Sequence, residues 1–344
     1  MSKKTTKNPF VLFDISLKMR KNKQIYLYMS VKYRLVDLFA GTGAFSHAFS
    51  NTKKVETVWA NDFADSSEEI YNLNHPEIKL TNGDINDISP SSIPKHDILC
   101  AGFSCQPFSI AGKQEGFNDE RSNCFWRLVK ILEHHKTPMI VLENVKNLTS
   151  HDNGNTFKTI KAELDKLGYY YKYKVLNTCE VTHVPQNRER IYIVGFYQDK
   201  QKAEDFEFDF PTLEKDPIQG YLDTNPESKY YYTKSLKVFP IVEKAITKHI
   251  SNNVVYQLRR QYVRENKSNV CPTLTANMGT GGHNVPLIKD NKGIRKLTPR
   301  ECFNLQGFPK DYKLPELSDA KLYSLAGNAV SVPVVQLIAN KLTQ

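Results

Sequence analysis

The sequence of 344 residues predicts an α/β protein with a Rossmann-like, mixed and mostly parallel sheet, and a second, smaller domain. Three observations support this prediction. Short apolar runs alternate with stretches of helical periodicity as far as Phe196, a glycine-rich turn follows the first run, and the pattern becomes charged and turn-rich near Asp205. A hydrophobic content of 40% is sufficient to bury a large core.

Six apolar runs are predicted as strands because each is short and is bounded by turn or helix signals. They cover residues 34–40, 55–60, 97–101, 139–143, 171–176 and 190–196. Before the fifth run, apolar residues from Phe157 to Leu164 recur at helical spacing and Gly168 supplies a stop, which predicts a crossover helix. Residues 331–343 predict a last helix that packs onto the sheet, with Ser331 as its N-cap.

The composition favours a polyanionic partner and a reducing compartment. Lys and Arg total 47 against 37 Asp and Glu, so the net charge is +10, although a basic enzyme without such a partner has the same composition. The six cysteines show no spacing typical of zinc ligands, which predicts free thiols and no bound metal. No apolar run reaches the roughly 18 residues of a membrane span and no export signal is recognisable, so a cytoplasmic protein is expected.

The residues that follow the first two strands predict a cofactor site. Gly41 and Gly43 lie between a strand and a helix, where open α/β sheets bind cofactors. Asp62 follows about 20 residues later, as a ribose-binding acid would, and Asp84 ends a further strand-like segment. The sequence GxxxxGKS/T and the third glycine of the dinucleotide fingerprint are both missing, which favours an adenosine ligand without pyrophosphate. A tight structural turn would explain the glycines alone equally well.

A reactive thiol is predicted at the same edge of the sheet. Cys105 lies in the turn after the third strand, where nearby positive charge would make its thiol a nucleophile. Glu143 ends the next strand and Arg188 and Arg190 lead into the last, so a carboxyl and two guanidinium groups would converge near the thiol. This combination suits a polar heterocycle. An internal salt bridge between Glu143 and Arg190 is the alternative, and the sequence leaves it open.

Six blocks of sequence, taken in order, resemble the DNA (cytosine-5) methyltransferase family of the bacterial restriction-modification type. The blocks are residues 37–41, 105–109, 143–145, 186–190, 295–301 and 327–330. The resemblance implies an S-adenosylmethionine-dependent methyltransferase fold and a base-flipping mechanism. Residues 1–30 are expected to be an N-terminal appendage, because the first clean strand begins only at Tyr33. With the change of pattern near Asp205, the resemblance implies a catalytic and cofactor-binding domain over residues 31–205, a target-recognition domain over 206–300 and a return to the catalytic domain over 301–344.

By position in the family, ten residues would hold S-adenosylmethionine or its product S-adenosylhomocysteine, with Phe63 beside the adenine. They are Phe39, Gly41, Thr42, Gly43, Asp62, Phe63, Asp84, Ile85, Ser104 and Asn328. The family usually has proline immediately before the catalytic cysteine, where this chain has Ser104. Serine frees φ and leaves the loop less pre-organised, but activity is expected to be retained.

The resemblance also assigns the catalytic and DNA-binding groups. Cys105 would be the nucleophile, Glu143 would hold N3 and the exocyclic amine of cytosine, and Arg190 would bind the carbonyl oxygen. Arg188 is placed in the same catalytic group and would order the backbone around the base. Eight residues are expected to contact double-stranded DNA, some of them only through phosphates: Gln106, Ser109, Arg259, Arg260, Arg264, Thr273, Asn277 and His283.

Three alternatives stay open. One branch of the family acts on transfer RNA, but the long recognition region favours DNA. A catalytically silent binding protein is disfavoured because Cys105, Glu143 and Arg190 are all retained. A cysteine hydrolase lacks a histidine near Cys105, since His96 precedes the third strand. A monomer bound to DNA in the bacterial cytoplasm is expected, with any cognate restriction endonuclease acting as a separate protein.

Overall fold

The computed structural model describes residues 32–103, 123–246, 254–259, 262–266, 269–280 and 285–344. The appendage predicted for residues 1–30 lies outside these ranges. Six of the predicted site residues do so as well: Ser104, Cys105, Gln106, Ser109, Arg260 and His283.

A seven-stranded sheet forms the centre of the molecule. Its strands are β1 (Tyr33–Leu38), β2 (Val55–Asp62), β3 (Thr81–Asn82), β4 (Ile98–Gly102), β5 (Met139–Val145), β6 (Tyr169–Asn177) and β7 (Glu189–Tyr197). They lie in the order β3-β2-β1-β4-β5-β7-β6, with the first five parallel and β7 antiparallel to both of its neighbours. The predicted mixed, mostly parallel sheet is therefore confirmed.

Helices cover both faces of this sheet. The helices of the described ranges are α1 (Ala44–Ser50), α2 (Asp65–Asn74), α3 (Asn123–His135), α4 (Asn155–Lys166), α5 (Thr178–Val181), α6 (Lys200–Asp205), α7 (Phe239–Ile246), α8 (Pro299–Leu305), α9 (Asp319–Asn328) and α10 (Val332–Leu342). Of these, α7 packs instead on residues 254–258 of the second sheet. Successive residues of β1 point to opposite faces, so Leu35 packs in the core with α1 and α10 while Val36 packs in the core with α3 and α4. This two-sided burial explains the continuous apolar runs of the parallel strands.

A second, four-stranded antiparallel sheet contains β8 (Val255–Leu258), β9 (Val263–Asn266), β10 (Leu287–Lys289) and β11 (Ile294–Lys296), in the order β11-β10-β8-β9. A buried ion pair joins it to α8, because Arg295 on β11 contacts both oxygens of Glu301 at 2.8 and 2.7 Å. Both side chains are almost fully buried, so removing Arg295 would leave the buried Glu301 carboxylate without its cation, whereas Arg295 also pairs with Asp290 at 2.8 Å. The predicted domain boundaries at residues 205 and 300 stay a prediction.

The last two helices belong to the main core. The segment Asp319–Leu342 is long and apolar enough to cross a membrane by composition, but 72% of its most apolar window is buried within the protein. The last helix forms as predicted and Ser331 is its N-cap residue, but the Ser331 side chain makes no capping hydrogen bond. Pro333 removes one of the N–H groups that a capping side chain would bind.

A buried carboxyl fixes the junction between β1 and α1. Asp37 Oδ2 accepts hydrogen bonds from the backbone N–H and the hydroxyl of Ser46 at 3.1 and 2.7 Å. The other oxygen, Oδ1, has no partner among the described residues. Burial raises the pKa of Asp37 to about 7, against the lowering effect of Ser46. The start of α1 is thus held by a carboxyl that is expensive to ionise.

Asp37→Asn should gain stability relative to the wild type as the pH rises. The pKa of Asp37 is raised from 3.8 to about 7 on folding, so its stabilising contribution is complete below 3.8 and is lost as the pH rises through about 7. Asparagine does not titrate, and its carbonyl oxygen can still accept the bonds from Ser46. Urea denaturation at about pH 5 and about pH 8 measures the free energy of unfolding of both proteins. The value for Asp37→Asn minus the value for the wild type should be larger at the higher pH. The same difference at both pH values would contradict the assignment.

Candidate active site

The turn after β1 contains two glycines in the left-handed region. Gly41 has φ 52° and Gly43 has φ 72°. A Cβ at Gly43 would lie 2.5 Å from Nε2 of His75, so packing beneath the turn requires glycine there. At Gly41 the nearest atom to such a Cβ would be 3.9 Å away, which leaves the side facing the end of the sheet open. A ligand can therefore approach the backbone closely at Gly41.

Acidic and aromatic side chains surround the open side of this turn. Asp62 ends β2, and its Oδ2 accepts a hydrogen bond from the backbone N–H of Gly41 at 2.9 Å. Phe63, the next residue, is 75% exposed. Asp84 is exposed and caps a short 3-10 turn through Asn86 N–H at 2.9 Å. Because β1, β2 and β3 are parallel neighbours, these residues meet at one edge of the sheet.

Three further predicted cofactor residues, Thr42, Ile85 and Asn328, lie around the same edge. The Thr42 hydroxyl is buried and has no partner among the described residues, while Ile85 is buried beneath Asp84. Asn328 is exposed at the end of α9, and Val330 two residues later would contact a Cβ placed on Gly102, at the end of β4. An open glycine turn, an unpartnered buried hydroxyl and an exposed ring together fit a polar ligand with a flat base.

Glu143 and Arg190 form an ion pair at the adjacent part of this edge. The antiparallel register of β7 places Arg190 opposite Val145, two residues beyond Glu143 on β5. Arg190 Nε lies 3.1 Å from Glu143 Oε1, and Arg190 Nη1 donates to the Glu189 carbonyl at 2.8 Å. The pairing that the sequence left open is therefore present in the structure. Both side chains are mostly buried but retain some exposure, so the pair borders an accessible space.

Opposing effects act on the Glu143 carboxyl. Burial raises its pKa, while the positive charges of Arg190 and Arg188 lower it, and the pKa remains above its usual value. A carboxyl with a raised pKa is protonated more easily than an ordinary one, so it can share a proton with a ring nitrogen. The guanidinium beside it supplies a fixed positive charge. The pair can therefore bind one polar edge of a heterocycle.

Asn144 connects this pair to the segment that carries the predicted nucleophile. Its Nδ2 donates to the carbonyl of Phe103 at 2.8 Å, and its Oδ1 accepts from the N–H of Val145 at 2.8 Å. Phe103 is the last described residue before Cys105, which follows two residues later in the sequence. Sequence analysis assigned no role to Asn144, because a backbone acceptor leaves no mark in the sequence.

Arg188 holds together backbone segments that are far apart in the chain. Its Nη1 donates to the Leu274 carbonyl at 3.0 Å, and Nη2 donates to the carbonyls of Gly327 and Ala329 at 3.2 and 2.7 Å. The side chain is buried, and burial together with the charge of Arg190 lowers its pKa to about 9. Its terminal donors are therefore engaged in supporting the residues on either side of Asn328.

A groove of about 430 Å³ opens beside Asn187, between the β8 and β9 hairpin and residues 272–277. Four of the predicted DNA contacts line it: Arg259, Arg264, Thr273 and Asn277. Gln257 pairs with Arg264 across the two strands, so the pleat places both side chains on the face of the hairpin that borders the groove. Two arginines and several amides thus share one surface.

Six further groove residues were not predicted as DNA contacts: Asn187, Gln257, Leu258, Asn266, Pro272 and Thr275. The alternation of buried Tyr256 and Leu258 with polar neighbours was the available signal. Arg259 Nη2 donates to Gln257 Oε1 at 3.2 Å, and the Thr273 hydroxyl donates to the Asn187 carbonyl at 2.6 Å.

Two other features concern the chemistry of this site: metal-ligand clusters and His96. In the described ranges, no group of three or more His, Cys, Asp or Glu side chains could hold a metal ion. His96 lies at the amino end of β4, opposite to Phe103, where its ring nitrogens contact Thr137 Oγ1 at 2.8 Å and the Pro94 carbonyl at 2.7 Å. It is therefore placed away from the edge that holds Glu143 and Arg190.

Curated relatives match nearly the whole chain. Type II methyltransferase M.Bsp6I of Bacillus sp. (strain RFL6) is 48% identical over 316 residues, which cover 90% of this chain and 98% of the relative. M.HaeII of Haemophilus aegyptius is 39% identical, with 90% and 93% covered. M.HhaI of Haemophilus parahaemolyticus is 37% identical, with 89% and 93% covered.

Solved structures share the fold at lower identity. The Dnmt2 methyltransferase of S. pombe superposes with a TM-score of 0.68 at 21% identity, covering 90% of this chain and 98% of the other. A DNMT2 mutant of Spodoptera frugiperda gives 0.71 at 21% identity, with 91% and 100% covered. Residues 33–344 match the family described as C-5 cytosine-specific DNA methylase, and the chain therefore belongs to this family.

Proposed function

We propose that this DNA (cytosine-5) methyltransferase flips a cytosine out of duplex DNA and methylates it through a covalent bond to Cys105, with S-adenosylmethionine as the methyl donor. The observation that carries the proposal is the ion pair of Glu143 and Arg190, 3.1 Å apart at the carboxyl end of the sheet. Asn144 holds Phe103 beside this pair, and two residues of chain, at about 3.8 Å each, connect Phe103 to Cys105.

The chemistry requires electrons to enter the base before methylation, because carbon 5 of cytosine is a poor nucleophile. Addition of the Cys105 thiolate to carbon 6 forms an S–C bond and pushes charge towards N3. Glu143 hydrogen-bonds or shares a proton at N3, and Arg190 stabilises negative charge on the carbonyl oxygen. After methylation the proton on carbon 5 leaves, the bond from sulfur to carbon 6 breaks, and the thiolate is released.

S-adenosylmethionine would be held at the glycine turn, where it supplies an electrophilic methyl group on sulfur. Gly41 gives the ligand access to the backbone, and the unpartnered Thr42 hydroxyl would gain a hydrogen bond. Asp62 would accept from the ribose, while the exposed ring of Phe63 would cover the adenine. Phe39, Gly43, Asp84, Ile85 and Asn328 complete the proposed site, together with Ser104.

Duplex DNA would bind along the groove beside Asn187. A two-stranded hairpin with arginine and amide side chains can contact phosphates and base edges. Asn187 is adjacent in sequence to Arg188, so DNA in the groove would lie near the pair that receives the base. Flipping costs a few kcal/mol, which these contacts would offset. Gln106, Ser109, Arg260 and His283 remain proposed DNA contacts.

The biological setting is proposed from the relatives, which are named as Type II methyltransferases. In that setting the enzyme would methylate a short DNA sequence in the bacterial cytoplasm and thereby protect it from a separate restriction endonuclease, and we propose that it acts as a monomer. The name of the relatives also favours DNA over transfer RNA. We retain residues 31–205 and 301–344 as the catalytic domain and 206–300 as the recognition domain.

Cys105→Ser should abolish methyl transfer and leave binding of DNA and S-adenosylmethionine intact, because a hydroxyl is a far weaker nucleophile than a thiolate. Transfer of a radioactive methyl group, gel shift and calorimetry measure the three properties. Cys124→Ser, on the partly buried face of α3, is the matched control and should methylate normally. Normal turnover by Cys105→Ser would refute the nucleophile assignment.

Glu143→Gln should slow transfer about 100-fold to 1000-fold while changing the Kd of the cofactor little, because the amide can neither share the proton at N3 nor neutralise Arg190. Single-turnover kinetics and calorimetry separate the two effects. Glu189→Gln is the control, since Glu189 forms a more exposed pair with Lys146. Equal losses in rate and cofactor binding would instead make Glu143 a structural residue.

Arg264→Ala should weaken binding of duplex DNA and reduce its salt dependence by about one unit of slope if a phosphate contact is lost. If Arg264 contacts a base and not a phosphate, the variant should discriminate less strongly between DNA sequences, while the salt dependence stays the same. Lys166→Ala, at an exposed pair on α4, is the control and should leave both quantities unchanged. DNA binding by Arg264→Ala that equals that of the control would exclude the groove as the DNA site.

A further inference from the structure

The segment after α8 docks directly beneath the glycine turn. The hydroxyl of Tyr312, a buried residue, donates a hydrogen bond to the Thr42 carbonyl, which lies between Gly41 and Gly43. The next residue, Lys313, exchanges two backbone bonds with the Asn74 side chain at 2.8 and 2.9 Å. The C-terminal part of the chain is thus fixed at two points to the part that carries the turn.

His75 extends this contact. Its Nε2 lies 3.3 Å from the Tyr312 hydroxyl oxygen. Because Tyr312 donates its proton to Thr42, its oxygen can accept a hydrogen bond from the His75 ring, which also bonds the backbone of Gly43. Burial lowers the pKa of His75 to about 4, which keeps the ring neutral and suited to this role at neutral pH. The same ring fills the space that a Cβ at Gly43 would occupy.

We propose that Tyr312 and His75 are positioning residues that hold the glycine turn in the conformation that binds S-adenosylmethionine, an inference that rests on the cofactor site of the proposed function. Glycine populates both signs of φ, so this turn has alternative conformations that the chain must exclude. A hydrogen bond to the carbonyl between the two glycines selects one of them. Ordering the turn before the ligand arrives lowers the entropic cost of binding.

A purely structural role for Tyr312 makes a different prediction. Its ring packs on Phe308 with centroids 4.5 Å apart and meets His47 edge-on at 5.4 Å. If only this packing matters, replacing the hydroxyl should leave cofactor affinity unchanged. If the hydroxyl orders the turn, affinity falls although the ring remains in place.

The experiment uses Tyr312→Phe, which keeps the ring and removes the hydroxyl. Calorimetry of the full-length protein without DNA should show the Kd of S-adenosylmethionine rising about fivefold to tenfold, the effect of one lost hydrogen bond. The rate at saturating cofactor should stay within about twofold of the wild type. Tyr169→Phe is the matched control. Tyr169 is also buried, and its hydroxyl donates to the backbone carbonyl of Thr137 at 2.9 Å, but it lies at the opposite edge of the sheet from the glycine turn.

Tyr169→Phe should lower the melting temperature but leave the Kd unchanged. Asn74→Ala, which frees Lys313 without altering the hydroxyl, should raise the Kd by a smaller factor and serves if Tyr312→Phe does not fold. Wild-type cofactor affinity in folded Tyr312→Phe, or in Asn74→Ala if Tyr312→Phe does not fold, overturns this inference and leaves the proposed cofactor site standing. Failure of the wild-type protein to bind S-adenosylmethionine would instead overturn the proposed cofactor site.

Discussion

The antiparallel pairing of β7 with β5 is the constraint on which the active site depends. If β7 ran parallel to its neighbours, its first residues would lie at the opposite edge of the sheet from the end of β5. Reversal brings Arg190 beside Val145, and the pleat then puts it on the same face as Glu143. A shift of one residue in this register would turn the guanidinium to the other face. The ion pair is thus a consequence of strand direction and register.

Buried side chains then tie distant segments to this edge. Arg188 holds three backbone carbonyls, and Gln186 donates to the Leu305 carbonyl at 2.6 Å. A Cβ on Gly327 would lie 2.2 Å from the carbonyl carbon of Thr275, so α9 and the groove segment are in direct backbone contact. Because buried donors that lose their acceptors cost about 1–3 kcal/mol each, these contacts favour a single arrangement of the cofactor edge and the groove.

The sequence predicts the parallel strands well because burial on both faces makes them continuous apolar runs, as for residues 97–101 and 139–143. It does not predict the direction of β7, since periodicity is the same for both directions. The strands of the second sheet were not predicted individually, because they are only three or four residues long and β9 carries charged residues such as Arg264.

For the candidate site, sequence blocks identified Glu143 and Arg190 but left open whether they pair. The supporting roles of Asn144 and Tyr312 were invisible, since their acceptors are backbone carbonyls that any residue type provides. Arg188 was placed with the catalytic residues, whereas in the structure its terminal donors bind backbone. Residue type thus indicated which side chains matter, and only the tertiary contacts distinguish residues that can face a substrate from residues that support them.

The most direct test of the account is bisulfite sequencing of plasmid DNA from a methylation-free bacterial host that expresses this protein, with the Cys105→Ser variant expressed in parallel. The account predicts modified cytosines confined to one short sequence in the wild-type sample and none in the variant sample. Unmodified DNA from cells that contain folded, S-adenosylmethionine-binding wild-type protein would contradict it.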